Sequence, residues 1–365
     1  MRDSTAPLER VTARAYRIPT EQPESDGTLE WSSTTLVVAH AQAAGRRGMG
    51  FTYADTTAAR LIEERLARHL EGRDVFATAA CWEEMVRTVR NLGSSGLCAM
   101  AISAVDSALW DLKAKLLGVP LVSLLGQARR RVPVYGSGGF TSYSIQQLEE
   151  QLGGWVAAGL RCVKMKIGRH PQEDVARVRA VRTAIGPEPE IFVDANGAYS
   201  RKLALRQAEA FAALGVTWYE EPVSSDDLEG LRLLRDRAPP GMDVSAGEYG
   251  YDSVYFRRMC ADGAVDVLQA DATRCKGVTG FMRAASVADA FLLPFSSHCA
   301  PSLHLHACCA APRVRHMEYF HDHVRIEHML FDGALSPVGG EIEPDLGRPG
   351  LGLELKESDA QRYAV

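Results

Sequence analysis

The chain has 365 residues, 41 Lys and Arg against 46 Asp and Glu, a formal net charge of −5, and 46% hydrophobic and 24% charged residues. That is ordinary globular composition: a mildly acidic chain carries no basic footprint for nucleic acid, and no run of about eighteen apolar residues offers a membrane span. The first residues, MRDSTAPLERVTARAY, lack the apolar core of a signal peptide, and eight cysteines at 81, 98, 162, 260, 275, 299, 308 and 309, with no CxxC spacing, suit reduced thiols in a cytoplasm better than a disulfide framework.

In chain order, RVTARAYRIPT, WSSTTLVVAHAQ and RRGMGFTYA read as strands of an antiparallel meander, with PTEQPESDGTLE as a polar loop between the first two. Three helical patterns follow: TAARLIEERLARHLEG, CWEEMVRTVRNLG and AMAISAVDSALWDLKAKLLG. Residues 1–130 therefore read as an α+β domain. From Val132 short apolar runs alternate with amphipathic stretches: VPVYGS, RCVKMKIG, EIFVDANG, VTWYEEP, MDVSAGE, AVDVLQADA, FLLPFSSH and VRHMEYF are eight strand candidates, seven of them followed by a helix-like run. Such alternation implies parallel strands joined by crossovers, and eight units imply a closed barrel over residues 131–330. A doubly wound open sheet is the rival, weakened because no GxGxxG follows the first strand. After Phe320 the rhythm stops, and residues 331–365 are expected to form a tail that packs back on the first domain.

Ionisable residues recur at the C-terminal ends of these strands: Lys164 and Lys166, Asp194, Glu220 and Glu221, Glu248, Asp271, His298 and Glu318. From Lys166 the spacings are 28, 26, 28, 23, 27 and 20 residues, near one strand–helix unit each time. In a closed barrel those ends meet at one mouth, where active sites sit. One acid after a strand is often only a helix cap, but a cap does not explain the whole series. Asp194, Glu220 and Glu248 on neighbouring strands repel unless a cation lies between them, and all-oxygen ligation suits Mg²⁺, with Mn²⁺ as a substitute. Lys164 and Lys166 share one face of their strand. An edge strand with protective lysines is the bland reading. In the barrel reading both point into the mouth, where mutual repulsion and a nearby cation lower the pKa of a lysine toward that of a general base. Asp271 and His298, on adjacent strands, suit a carboxylate–imidazole pair and a second base. Glu318, if protonated, suits a hydrogen-bond donor to an enolate oxygen.

The motifs KMK, VDANG, YEEP, SAGE, LQAD, SSH and MEYF, in this order and spacing, resemble the enolase superfamily, and within it the mandelate racemase subgroup. The resemblance implies an α/β modified TIM barrel, (β/α)7β, with an N-terminal α+β capping domain completed by the C-terminal tail. It implies Mg²⁺ on Asp194, Glu220 and Glu248, Lys166 as one base with Lys164 on the substrate carboxylate, His298 with Asp271 as the other base, Glu318 as a donor to that carboxylate, and Asn196 at the substrate. Glu221 is expected to support the ligands. Asp271 stands where muconate-cycloisomerising relatives carry Lys, which favours the racemase-like group. The loop with Glu21, Glu24, Asp26 and Trp31, and the pair Phe51 and Tyr53, resemble capping elements that choose the substrate. Lys276, in CKGVTG where relatives often read CGGVTG, is either a surface variant or a reach toward an anionic group. His321 and His323 are candidates to line the mouth. In HLHACC, His304, His306, Cys308 and Cys309 are candidates for a soft metal site, with helix packing the alternative.

The expected reaction is Mg²⁺-assisted removal of the proton α to a carboxylate through an enediolate. It continues as dehydration of an acid sugar to a 2-keto-3-deoxy acid or, alternatively, as racemisation or epimerisation of a 2-hydroxy acid. The expected partner is a small-molecule carboxylate, not nucleic acid or membrane, and a homo-oligomer is expected. A non-catalytic barrel that keeps its metal site, and a doubly wound oxidoreductase, are the rivals from other classes.

Overall fold

The computed structural model describes residues 5–365. It opens with a sheet ordered β1 (Arg10–Ser25), β2 (Glu30–Ala43) and β3 (Arg46–Tyr53), all antiparallel. Alternation along β2 gives it two buried faces. Val37, Ala39 and Ala41 pack with Ile62, Ile102 and Leu109 of the following helices, while Leu36 and Val38 join the cluster shared with the barrel. The segment expected as a polar loop is mostly strand. β1 runs on to Ser25 and β2 starts at Glu30, with an irregular register between Pro19 and Glu24. Prolines cannot donate to the ladder, and β1 is an edge strand that tolerates them. The turn stays tight because Asp26 Oδ1 accepts from the backbone N–H of Thr28 at 2.6 Å and of Leu29 at 2.7 Å.

Eight parallel strands follow: β4 (Val132–Gly138), β5 (Cys162–Lys166), β6 (Glu190–Asp194), β7 (Val216–Glu220), β8 (Asp243–Ala246), β9 (Val267–Ala270), β10 (Phe295–Ser297) and β11 (Val314–Phe320). Each pairs with the next, and β11 closes on β4, which disposes of the open sheet. The rhythm lasts one element longer than the sequence pattern suggests, since a helix over His321–Leu330 follows β11 directly. Inside the barrel, Tyr135, Phe192, Trp218 and Val267 form a closed apolar floor. Phe192 and Trp218 stand two residues before Asp194 and Glu220, hence on the same face and below them. Val163 and Met165 point outward into the cluster shared with the helices.

The first unit seats on the barrel through the helix Leu97–Leu117. β3 lies almost against that helix: a Cβ on Gly50 would come 2.3 Å from the Ala104 carbonyl oxygen. On the helix's other side Asp106 accepts from Thr279 N at 2.9 Å, and Ser103 Oγ accepts from the backbone N–H of Lys276 and Gly277 at 2.9 and 3.0 Å. The chain after Leu330 reaches both units. Glu341–Ile342 pairs antiparallel with β4, and Ala364 bridges Tyr16 of β1. No helix among the described residues is long and apolar enough to cross a membrane.

Candidate active site

The alternation that builds the floor also builds the site above it. Asp194 and Glu220 end β6 and β7, opposite each other in the ladder, and Lys166 lies opposite Asp194 on the other side. Glu248 follows β8. Ligand oxygens of Asp194, Glu220 and Glu248 lie within 4.8 Å of one another, and all three residues are buried. Against burial, neighbouring cations hold Asp194 and Glu248 below the usual carboxylate range, but not Glu220. Burial and the charge of Asp194 push the Glu220 carboxyl up to about 8, a cost that a divalent cation would relieve. Glu248 Oε2 has no hydrogen-bond partner. An all-carboxylate set with one orphaned oxygen fits a hard divalent ion.

Among the side chains alone, carboxylates lie against both lysines. Lys166 Nζ lies 2.5 Å from Asp194 Oδ2, and Lys164 Nζ lies 2.6 Å from Glu220 and 2.8 Å from Glu318. Burial opposes charge on both ammonium groups, but these carboxylates outweigh it, and both pKa values are raised rather than lowered. Lys166 lines the cavity at the mouth. Lys164 is wholly buried one layer deeper, 5.4 Å from the Tyr135 ring, and does not reach the cavity wall.

On the opposite strands, His298 Nδ1 lies 2.8 Å from Asp271 Oδ2, and its Nε2 is 3.3 Å from Glu248 Oε2. Burial disfavours the imidazolium, yet the charge of Glu248 and the bond to Asp271 raise its pKa overall. The Asp271 carboxyl is held well below the usual range: burial works against its charge, and the bond and charge of His298 prevail. Glu318, expected as a donor if protonated, is surrounded by donors. Its oxygens accept from Ser137 Oγ at 2.5 Å and Cys299 N at 2.7 Å beside the Lys164 ammonium. Burial would raise its pKa, but Lys164 and His298 hold it well below the usual carboxylate range, so it stands here as an ionised acceptor. Glu221 is buried in the left-handed region at φ 37°, with Oε1 unpartnered.

A cavity of about 470 Å³ covers these groups, walled half by the barrel mouth and half by the first unit. Asn196, Trp31, Tyr53 and Asp26 line it. Gly27 at the hairpin tip sits directly on the loops after β5 and β6, where a Cβ would meet the Ala195 carbonyl oxygen at 2.4 Å. Trp31 Nε1 donates to Glu24, a buried carboxyl that burial and nearby Asp322 push up to about 8. Tyr53 stacks on His323 with ring centres 3.4 Å apart. Three expectations need correction. His321 turns away to Glu21, at 3.1 Å, and only His323 faces the cavity. Phe51 is buried against Phe331 and is not in the wall of this cavity. Lys276 is neither exposed nor at the mouth: its ammonium donates to the Tyr251 carbonyl at 2.6 Å, and its backbone belongs to the contact with Ser103. The HLHACC histidines are spent on packing. The helix Pro301–Ala310 is buried nearly all round rather than amphipathic, with His304 Nε2 accepting from Ala272 N and His306 Nδ1 from Val122 N. Sequence reading missed Arg274, which lines the cavity, donates to Glu248 at 3.1 Å and lies over the Tyr249 ring. Its position three residues after Asp271 was the available signal.

Residues 147–359 match the family described as enolase C-terminal domain-like, and residues 13–126 the mandelate racemase / muconate lactonizing enzyme N-terminal domain. A crystal structure of a mandelate racemase/muconate lactonizing enzyme-like protein from Rubrobacter xylanophilus superposes with a TM-score of 0.96 at 54% identity, covering 98% of this chain and 100% of that one. The 3,6-anhydro-alpha-L-galactonate cycloisomerase of Streptomyces coelicolor is 31% identical over 98% of this chain and 99% of its own. L-talarate/galactarate dehydratase from Salmonella typhimurium, solved with Mg and L-lyxarohydroxamate, superposes with a TM-score of 0.91 at 27% identity, covering 100% of this chain and 94% of that one.

Proposed function

This chain belongs to the mandelate racemase / muconate lactonizing enzyme family of the enolase superfamily and is an enzyme, and from that premise we propose that it removes the proton α to a carboxylate with the help of Mg²⁺, and dehydrates an acid sugar to a 2-keto-3-deoxy acid. The observation that carries this is the placement of Lys166 and His298 in one cavity wall with the three-carboxylate group beside them. Asp194, Glu220 and Glu248 would hold the ion. When bound there, Mg²⁺ supplies a Lewis acid for a substrate carboxylate and takes up the negative charge that otherwise keeps Lys166 an ammonium ion.

The remaining chemistry falls to the side chains. Lys166, at the mouth, takes the α-proton, and the electron pair moves onto the carboxylate oxygens. His298, held by Asp271, gives a proton to the β-hydroxyl as the electron pair returns from the carboxylate oxygens to form the α,β double bond and the C–O bond breaks. Water leaves, and the enol becomes the keto acid. Arg274, Asn196 and Asp26 offer polar contacts suited to a polyhydroxy acid, and Trp31 and Tyr53 close over it. The related dehydratase bound to a sugar-acid hydroxamate with Mg supports this reading. If His298 instead returned a proton to the α-carbon, the same residues would racemise a 2-hydroxy acid; with Mn²⁺ in place of Mg²⁺ either route would run. The reading includes a homo-oligomer in a reducing cytoplasm, to be checked by light scattering.

The test is incubation in D₂O with Mg²⁺ and a library of mono- and di-acid sugars and aromatic 2-hydroxy acids, following α-deuteration by NMR and keto acid with a carbonyl reagent. One sugar acid giving keto acid, lost in Lys166→Met, supports the proposal. A hydroxy acid that racemises while no sugar acid gives keto acid sinks the dehydratase reading.

A further inference from the structure

Beside the carboxylate group lies a second set of donor atoms of different chemistry. We propose that His298 Nε2, Cys299 Sγ and the Glu318 carboxylate form an inhibitory site for a divalent ion of the Zn²⁺ type, distinct from the three-carboxylate site. The three ligand atoms lie within 4.8 Å of one another, and all three residues are buried. Cys299 Sγ is 3.2 Å from His298 Nε2, which in turn is 4.0 Å from Glu318 Oε2. Bonds of about 2.0–2.3 Å to N, O and S at tetrahedral angles place ligand atoms roughly 3.4–3.6 Å apart. Two of the separations straddle that range and the third lies within 4.8 Å, so side-chain shifts of up to about 1 Å complete the set.

The Glu318 donor is free, while Cys299 Sγ and His298 Nε2, the latter 3.3 Å from Glu248 Oε2, give up a proton as the ion binds. Ser137 and Lys164 occupy Glu318 Oε1, while Oε2 accepts only from Cys299 N and keeps a lone pair. His298 already gives its Nδ1 side to Asp271, the carboxylate–imidazole arrangement that orients a metal-bound ring and strengthens it as a ligand. Cys299 and Ala300 are both left-handed without being glycine, at φ 52° and 40°. This sharp turn after β10 sets the thiol beside the ring of the preceding residue. His298 and Cys299 line the cavity, which gives the ion an entry and leaves a fourth position open. Thiolate and imidazole select Zn²⁺ where carboxylates select Mg²⁺, so the two sites sort ions by softness. An ion on Nε2 occupies the lone pair through which His298 moves a proton. That inhibitory consequence rests on the role proposed for His298, whereas the binding does not.

The test uses the full chain in excess Mg²⁺, titrated with Co²⁺ as a spectroscopic stand-in. One equivalent should give thiolate-to-cobalt absorption that Zn²⁺ abolishes and that Cys299→Ser lacks. In turnover, Zn²⁺ should inhibit the wild type reversibly by chelation, and Cys299→Ser should need at least about tenfold more, the scale of one weakened metal contact. Absence of the band, or a band unchanged in Cys299→Ser, overturns the site. Should Cys299→Ser fold poorly, Cys299→Ala is compared by melting: a Zn²⁺-dependent rise in Tm confined to the wild type supports the site, and equal rises overturn it. A Cys299-dependent band without inhibition keeps the site and removes the role assigned to His298.

Discussion

Asp271→Asn should uncouple the two proposed bases. Asp271 Oδ2 lies 2.8 Å from His298 Nδ1, and Oδ1 accepts from Thr273 N at 2.7 Å. An asparagine that keeps the Thr273 bond turns its NH₂ toward Nδ1, so the imidazole must accept there and carry its proton on Nε2. The ring then has the wrong tautomer for a base and no counter-charge as an acid. Unit charges about 2.8 Å apart at an effective dielectric of about 20 attract by about 6 kcal/mol, which is a ceiling because the asparagine retains a dipole. General acid–base catalysis contributes about 10²–10⁴-fold, or about 3–5 kcal/mol at about 1.4 kcal/mol per decade. A fall in kcat of two to four decades is expected, with KM changed by no more than a few-fold. Deuterium exchange at the α-carbon should survive wherever Lys166 alone performs it. The assay pairs keto-acid formation with NMR of α-exchange in D₂O, and Tm confirms the fold. A fall below about fivefold, or equal loss of exchange and turnover, would refute the division of labour between the two bases.

Glu248→Gln removes one of three charges from the proposed ion site and should weaken Mg²⁺ on the order of a hundredfold, read from the Mg²⁺ concentration needed to raise Tm. Gly50→Ala would place a Cβ 2.3 Å from the Ala104 carbonyl oxygen; the forced shift should cost about 1–3 kcal/mol in urea unfolding, and a neutral result would mean that the helix moves freely from the sheet. Burial pushes the Asp106 carboxyl up to about 7, against two hydrogen bonds from Thr279. A carboxyl with a folded pKa above its unfolded value of about 3.9 keeps its proton longer when folded, so its contribution falls as pH rises from about 4 to 7 and is level above that. The urea midpoint of the wild type should therefore drop relative to Asp106→Asn across that window and run parallel to it from pH 7.5 to 9; parallel curves throughout would show that Asp106 titrates normally.

What the sequence disclosed followed from periodicity. The eight barrel strands were legible because each is a short apolar run ending in a polar residue one strand–helix unit after the last. The same spacing puts the acids, Lys166, Asp271 and His298 at one end of the barrel. The hairpin of β1 and β2 was not legible, because PTEQPESDGTLE has the composition of a loop; its pairing depends on the Asp26 turn and on the seat of Gly27 over the loops after β5 and β6, contacts remote in sequence. Lys276 was opaque for a similar reason, since its partner Ser103 lies 173 residues away.

Two of the misplacements share one cause: a period reports the face on which a side chain lies but not its height along the strand. Lys164 and Lys166 share a face, yet two residues along a strand are about 7 Å, enough to put one over the Tyr135 ring and the other in the cavity wall. Phe51 and Tyr53 repeat this on β3, one buried and one at the cavity. His321 and His323 fail differently: the helix begins at His321, so the two-residue repeat that held through β11 no longer applies, and only the second reaches the site. Height also decides charge. Repulsion between the lysines together with a nearby cation was expected to lower their pKa; among the side chains alone each lies closer to a carboxylate than the roughly 7 Å that separates same-face strand neighbours, and in a buried site the nearer charge wins. A base at Lys166 therefore depends on what neutralises Asp194, which makes the three-carboxylate group a condition of the chemistry rather than an accessory to it.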